Sequence, residues 1–341
     1  MREQVEPILA SLASRWADRR VHVFDVRIAG AGDGVVELAG RVLERANLDA
    51  LRREMAAKIP AIRVDDSGVV VLQRQPKVMR VIATNLTDLH AEPSFLSEML
   101  TQVTNGTELE ILEEREKWSF VRLRDGYMGW ALARFLGELV DPLAFTHIVS
   151  APTTFVRADA DDAGFPLTRV LAGTSLCVTQ VRGLWARFQP IGAMLPGGWL
   201  PLRDLRKFAA LPLAHDEAGR QIILDARELM GTYYLWGGCT AWGIDCSGLA
   251  QLCHRLSGYE IPRDSDMQFV AGRPVDEPFA AGDLLYFHNE ARTKIGHVGI
   301  ATGAGWNMIH SSRSRNGVYE EDAAANESLR SSFAGARSFL P

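Results

Sequence analysis

The sequence predicts an α+β protein with several domains, and three observations lead to this fold class. The chain has 341 residues, more than one average domain needs. Residues 77–210 contain an internal repeat with the alternation of β-strands. Beyond residue 245, apolar residues recur at a helical interval and are followed by short strand-like runs. We therefore expect a small N-terminal α+β domain, two β-barrels and a C-terminal α+β domain over residues 211–341.

The composition indicates a globular protein that binds neither nucleic acid nor an anionic membrane. The formal net charge is −5 and the pI is near 5.9, which gives no basic surface for either partner. Hydrophobic residues make up 47% of the chain, the mean hydropathy is −0.03, and no apolar run has the length of a membrane span.

The N-terminal residues indicate the compartment. They include early acidic side chains and no continuous apolar segment, so no export signal is visible. We therefore expect a cytoplasmic protein, unless an export leader precedes this sequence. In a reducing compartment the four cysteines would stay as free thiols: Cys177, Cys239, Cys246 and Cys253.

Residues 1–76 predict a small domain with the element order α-β-β-α-β. One helical face precedes a hairpin over residues 21–39, and a second amphipathic helix over residues 43–59 precedes a last strand at residues 69–72. This order loosely resembles the BON domain. No residue there suggests chemistry, so a docking or spacer module is expected.

The repeat in residues 77–210 predicts two small β-barrels, over residues 77–140 and 141–210. Trp118 follows Gly106 by 12 residues, and Trp185 follows Gly173 by the same 12. Each half ends on a Gly-Trp pair, at residues 129–130 and 198–199. The pattern resembles bacterial SH3 domains, and we expect Trp118 and Trp185 in the barrel cores.

Cys246 is predicted to be a nucleophile at the start of a helix. Leu249, Leu252, Cys253 and Leu256 follow at helical spacing, and a glycine-rich aromatic run precedes. Unpaired N–H groups and the helix dipole favour a thiolate at such a position, so we expect a lowered pKa for Cys246. The alternative is a buried structural thiol.

Two histidines are placed to serve that thiol. His297 lies in a glycine-flanked strand pattern, and His310 lies 13 residues later at the end of a second one. Neighbouring antiparallel strands would bring both rings to one face. We predict that His297 is the general base and that His310 orients it. Histidines without this context are expected at the surface or in packing: His90, His147, His215, His254 and His288.

Five blocks in the last third of the chain resemble the NlpC/P60 cysteine peptidases. The blocks are Tyr234-x-Trp236-Gly237-Gly238, Asp245-Cys246-Ser247-Gly248, residues 281–287, Gly296-His297-Val298-Gly299-Ile300 and Ile309-His310. The resemblance implies a papain-like fold in which a helix with the cysteine packs on an antiparallel sheet with the two histidines. It also implies no cofactor. A zinc site is disfavoured because Cys239, Cys246 and Cys253 lack the short spacing of zinc ligands.

The resemblance also implies the residues that contact substrate. In the related murein-peptide recycling peptidases, a glutamate and a tyrosine of the first barrel reach over the cleft, and Glu98 and Tyr127 match them. Glu98 would lie in a loop insertion over residues 93–102 and bind a free α-amine, or else be a solvated glutamate. Tyr234 matches a family tyrosine beside the active site. It would either donate a hydrogen bond to the oxyanion or be a packed loop aromatic. Four other positions match substrate contacts of the family. Trp236 would wall the pocket, Asp245 would bind the amine, Ser247 would bind a substrate carboxylate, and Ser265 would make a further contact. Arg263, which could pair with a carboxylate, is a weaker candidate.

These residues together predict a cysteine endopeptidase. By resemblance its substrates are murein tri- or tetrapeptides with a free N-terminal L-Ala, cut between γ-D-glutamate and the L-diamino acid, in cell-wall peptide recycling. One alternative is an exported hydrolase that remodels intact peptidoglycan. Another is a catalytically silent, wall-binding scaffold.

Overall fold

The computed structural model describes residues 1–139 and 145–341. These residues form two compact units: residues 1–80 with 108–133, and residues 81–107 with 134–341. The predicted boundary between the two barrels, at residues 140 and 141, lies outside the described residues, and the other predicted domain boundaries stay predictions. Within the described ranges, none of the helices combines the length and apolar character that a bilayer crossing requires.

The N-terminal part of unit 1 has the predicted order of elements. They are α1 (Arg2–Arg15), β1 (Phe24–Gly32), β2 (Val35–Val42), α2 (Arg45–Lys58) and β3 (Arg63–Val71). The central strand β2 is antiparallel to β1 and parallel to β3. Apolar faces of both helices, including Leu12 and Leu51, bury against this sheet. The likeness to the BON domain stays a prediction.

The next segment contributes strands to both units. They are β4 (Met79–Ile82), β5 (Leu86–His90), β6 (Met99–Thr104), β7 (Glu108–Arg115), β8 (Trp118–Leu123), β9 (Met128–Leu132) and β10 (Leu136–Glu138). Strands β7, β8 and β9 form an antiparallel meander in unit 1, and β5 pairs with β6 in unit 2. Trp118 is buried, as predicted. The predicted insertion over residues 93–102 is shorter than expected, because β6 begins at residue 99.

The second half of the repeat forms a seven-stranded antiparallel sheet in the order β13-β12-β16-β15-β14-β11-β17. Its strands are β11 (His147–Val149), β12 (Thr153–Arg157), β13 (Pro166–Leu171), β14 (Ser175–Arg182), β15 (Trp185–Gln189), β16 (Gly198–Pro201) and β17 (Leu205–Lys207). The expected burial of Trp185 is wrong. Ala186 and Phe188 occupy the inward positions of β15, so Trp185 starts the strand on the other face and is half-buried.

The C-terminal segment combines helices with a six-stranded antiparallel sheet in the order β20-β25-β21-β22-β23-β24. Its elements are α3 (His215–Glu228), β18 (Cys239–Thr240), β19 (Gly243–Ile244), α4 (Cys246–Leu256), α5 (Ser265–Ala271), β20 (Arg273–Val275), β21 (Leu284–His288), β22 (Ile295–Ala301), β23 (Asn307–Ser312), β24 (Gly317–Asp322), α6 (Glu327–Ser332) and β25 (Phe333–Ser338). Helix α4 packs against β22 and β23, and its apolar face shares one core with α3 and the sheet.

Two glycines allow close backbone contacts of the loop before α4. Gly237 has a φ of 77°, and a Cβ there would collide with the carbonyl oxygen of Met99. A Cβ at Gly248 would collide with the carbonyl oxygen of Gly238. Glycine at 237 therefore lets the loop lie against the start of β6, and glycine at 248 lets the first turn of α4 lie against the loop.

Candidate active site

Cys246 is the first residue of α4, as predicted. The preceding residue, Asp245, is the N-cap, and its Oδ1 accepts a hydrogen bond from the N–H of Gly248 at 2.7 Å. The cap fixes the first turn and holds the cysteine at the helix N-terminus. Cys246 is 9% exposed.

The predicted low pKa of Cys246 is wrong for this structure. Burial, followed by the neighbouring Asp245 charge, raises the pKa of the thiol to about 12. Backbone N–H groups of Val298 and Ser247 and the charge of Arg263 act in the opposite direction but are smaller. The resting sulfur is therefore a neutral thiol, and a thiolate requires transfer of its proton to a base. Because Val298 directly follows His297, the Val298 contact also brings the histidine's strand to the sulfur.

His297 on β22 and His310 on β23 meet, as the strand argument predicted. The Nε2 atom of His297 lies 2.7 Å from Nδ1 of His310, and one ring packs edge-on to the other. Burial, with the neighbouring His310, holds the pKa of His297 well below its usual range. Burial, with the nearby Arg315, does the same to the pKa of His310. Both rings are neutral, so a single proton lies between them.

Glu321 determines where that proton lies. Its Oε1 lies 2.8 Å from Nε2 of His310, and neither of these buried atoms has a hydrogen-bond partner among the described residues. A carboxylate offers no proton, so electrostatics places the His310 proton on Nε2, facing the carboxylate. Nδ1 of His310 then accepts from Nε2–H of His297. His297 is then protonated on Nε2 and has a free lone pair on Nδ1. A general base requires this tautomer.

Asp245, Ser247 and Arg263 form a closed polar cluster behind the cysteine. The Arg263 guanidinium donates to both carboxylate oxygens of Asp245, at 3.1 and 2.7 Å, and to the Ser247 hydroxyl at 2.9 Å. Asp245 also accepts from the Ser247 hydroxyl and from two backbone N–H groups. A carboxylate has about four lone-pair positions, so the protein itself uses the acceptor capacity of Asp245. The substrate contacts predicted for Asp245 and Ser247 stay predictions.

Glu98 and Trp236 are brought together in unit 2. The indole Nε1–H of Trp236 donates to Oε1 of Glu98 at 2.7 Å, and Trp236 is 51% exposed. Glu98 ends the loop between β5 and β6 and is exposed to solvent. A carboxylate held by an exposed indole fits the rim position predicted for Glu98. Tyr127 belongs to unit 1 and is 2% exposed. Its role stays a prediction.

Tyr234 lies in the electrostatic environment of the cysteine. Burial, followed by the charges of Cys246 and Asp245, raises the pKa of its hydroxyl to about 12. The tyrosine is therefore neutral and able to donate a hydrogen bond. Ser265 is the first residue of α5 and is half-buried, and its predicted substrate contact stays a prediction.

Two residues near the site were missed by the sequence reasoning. Glu321 lies on β24, where the register pairs His310 with Tyr319, so Glu321 is two residues along on the same face. A hairpin prediction from residue 307 onward would have found it. Arg313 lies in the turn between β23 and β24, and its guanidinium carbon is 5.4 Å from the ring centroid of Tyr234. No local pattern marks an arginine in a turn.

Within residues 1–139 and 145–341, no three side chains of His, Cys, Asp or Glu are grouped to hold a metal ion. All four cysteines lie in these ranges and are free thiols.

Similarity to known proteins supports a hydrolase as the class of this protein. Residues 231–337 match the NlpC/P60 family, and residues 89–134 match the bacterial dipeptidyl-peptidase Sh3 domain. The chain thus contains an NlpC/P60 domain and a bacterial SH3 domain, and it is homologous to γ-D-glutamyl-L-lysine dipeptidyl-peptidases of Bacillus.

Two such relatives and one solved structure show the extent of the similarity. The enzyme of Bacillus subtilis (strain 168) is 28% identical over 232 residues, covering 64% of this chain and 74% of the relative. The enzyme of Bacillus cereus is 27% identical over 265 residues, covering 72% of this chain and 76% of the relative. A crystal structure of an NlpC/P60 family protein from Bacillus cereus has a TM-score of 0.68 at 23% identity, and covers 77% of this chain and 100% of that one. At this identity the structural match shows the fold.

Proposed function

We propose that this protein is a cysteine endopeptidase that hydrolyses the bond between γ-D-glutamate and an L-diamino acid in short murein peptides. The observation that carries the proposal is the Cys246 thiol at the start of α4, beside the strand that holds the His297–His310 pair. The substrate class is supported by the names of the Bacillus relatives, which are γ-D-glutamyl-L-lysine dipeptidyl-peptidases.

In the proposed reaction, Cys246 attacks the γ-carbonyl carbon of D-glutamate while Nδ1 of His297 takes the thiol proton. The tetrahedral oxyanion is stabilised by the backbone N–H of Cys246 and by the hydroxyl of Tyr234. Collapse of this intermediate breaks the C–N bond, and His297 protonates the departing amine. A water then gives a proton to His297 and attacks the γ-glutamyl thioester, which releases the acid and restores the thiol.

The proposed substrate has a free N-terminal amine. Glu98 offers a solvent-exposed carboxylate that is held by Trp236, and an ammonium group pairs favourably with such an anion. An acetylated amine carries no charge and would leave Glu98 without a partner. This preference suits recycling of released wall peptides, and we extend the proposal to that role and to a cytoplasmic location.

The test is hydrolysis of L-Ala-γ-D-Glu-diaminopimelate with and without an acetyl group on the alanine. The proposal expects cleavage of the free-amine peptide and a loss of about 10- to 100-fold in kcat/KM on acetylation. In Glu98→Gln the two peptides should be cleaved at similar rates. Equal cleavage of both peptides by the unmodified protein would contradict the amine site and favour remodelling of intact wall.

A further inference from the structure

The site contains one arginine that is closed to substrate. Arg263 is 2% exposed, and its guanidinium is bound to Asp245, Ser247 and Thr101. Its charge is compensated by a carboxylate of the protein. A substrate carboxylate would have to displace Asp245 to reach it, which would leave a buried anion without a partner.

A second arginine at the site is open to solvent. The guanidinium carbon of Arg313 lies 5.1 Å from the ring centroid of Trp236 and 5.4 Å from that of Tyr234, within cation–π distance of both. The Arg313 side chain is exposed and forms no ion pair with a carboxylate of the described residues. It is a cation held in place by two aromatic rings, with its charge uncompensated.

Trp236 connects this cation to Glu98. The edge of the indole donates to Glu98 at 2.7 Å, and its ring contacts Arg313. Tyr234, the other ring under Arg313, forms a β-bridge with Ile244, two residues before Cys246. One exposed tryptophan therefore has an anion and a cation beside it. This arrangement is complementary to a peptide with a free amine and a free carboxylate.

We propose that Arg313 binds a free carboxylate of the substrate and so makes the enzyme selective for anionic peptides. The proposal rests on the proposed peptidase function and names a specificity residue for it. Two groups of the substrate have this chemistry: the α-carboxylate of γ-linked D-glutamate and the carboxylates of the diamino acid. A guanidinium binds either one through two parallel N–H···O bonds. Stacking on the rings limits the rotamer entropy lost on binding.

The experiment compares Arg313→Gln with the unmodified protein on three peptides: the parent L-Ala-γ-D-Glu-diaminopimelate, its D-glutamate α-amide, and its diaminopimelate amide. Amidation of the bound carboxylate should lower kcat/KM of the unmodified protein about 10- to 100-fold. On the parent peptide, Arg313→Gln should have a kcat/KM that is lower than that of the unmodified protein by a similar factor. On the amide of the bound carboxylate, Arg313→Gln and the unmodified protein should have similar kcat/KM values. The amide that behaves this way identifies the carboxylate. Arg330→Gln removes an exposed charge on α6 and should match the unmodified protein.

Equal losses on all three peptides in Arg313→Gln would overturn the inference, because they would indicate displacement of Tyr234 or Trp236. Retention of the full preference for free carboxylates would overturn it as well. Calorimetric binding of the same peptides to Cys246→Ala separates this inference from the proposed function. If the unmodified protein cleaves none of the peptides, the function fails, while a carboxylate preference in binding that depends on Arg313 would still support the inference.

Discussion

The Nε2 atom of His297 lies 2.7 Å from Nδ1 of His310, and the two neutral rings share one proton. Such a pair is a useful base only when the proton is on Nε2 of His297. The carboxylate of Glu321, 2.8 Å from the far nitrogen of His310, selects that state because it can only accept a proton. Glu321 is thus a positioning residue that acts through His310.

Glu321→Gln should lower kcat by at least about tenfold and leave KM little changed. An amide N–H that faces Nε2 of His310 favours a lone pair there, which moves the His310 proton to Nδ1 and makes Nε2 of His297 an acceptor. His297 then holds its proton on Nδ1 and cannot take the thiol proton. Nitrogen NMR of the imidazoles would report the changed tautomer.

Glu320→Gln is the matched control for this test. Glu320 is the neighbouring residue of β24 and pairs with Arg227 at the surface. Its substitution should change kcat less than about twofold, as expected for a surface ion pair. Similar kcat values for Glu321→Gln and Glu320→Gln, with unchanged tautomers, would contradict the role of Glu321.

Alkylation of Cys246 in the free protein should be slow at neutral pH. Burial raises the pKa of this thiol to about 12, so the thiolate fraction rises about tenfold per pH unit below that value. The measurement is the rate of iodoacetamide labelling from pH 6 to 9, with mass spectrometry to separate Cys246 from Cys239. A fast rate that does not vary over this range would indicate a preformed thiolate–imidazolium pair instead.

Stability should decrease between pH 7.5 and 5 because of buried neutral histidines. Burial lowers the pKa of His254 from 6.5 to about 4, so the unfolded chain binds the proton first and stability is lost as the pH falls below 6.5. This histidine alone accounts for about 2 kcal/mol between these two pH values. Urea unfolding of His254→Asn should show a pH dependence smaller by that amount. An equal pH dependence in both proteins, or an NMR titration of His254 near 6.5, would be inconsistent with this explanation.

Arg263→Ala should destabilise the protein by about 3–5 kcal/mol, because it leaves the Asp245 carboxylate buried without a cation. Arg263→Lys keeps the charge but cannot donate to Asp245, Ser247 and Thr101 together, so an intermediate loss is expected. The measurement is the free energy of unfolding in urea. A loss below about 1 kcal/mol in Arg263→Ala would mean that Asp245 finds another partner, such as water.

The sequence predicted the positions of the reacting groups better than their chemistry. The helical interval after Cys246 and the strand patterns around His297 and His310 depend on local periodicity, and all three lie where that periodicity places them. The raised pKa of Cys246 depends on burial by the rest of the fold, which outweighs the helix N-terminus and the N–H groups at the sulfur. The position of a cysteine at the start of a helix does not reveal how deeply the rest of the fold buries it.

Contacts between segments far apart in the sequence account for most of what was missed. Arg263 was a weaker candidate among the substrate contacts, and the fold closes it onto Asp245. Arg313 meets Tyr234 and Trp236 across a long sequence separation, through a turn with no distinctive pattern. Trp185 repeats the position of Trp118 in the sequence but begins its strand on the outer face. Each of these outcomes depends on strand register and tertiary packing.

The most direct test of the central claim is cleavage of L-Ala-γ-D-Glu-diaminopimelate by the unmodified protein and by Cys246→Ala, with products identified by mass spectrometry. Cys253→Ala is the control, because Cys253 is a fully buried thiol on the same helix with no part in the proposed reaction. We predict release of diaminopimelate and L-Ala-γ-D-Glu by the unmodified protein and by Cys253→Ala, and none by Cys246→Ala. Cleavage that persists in Cys246→Ala, or its absence in the unmodified protein, would contradict the assignment.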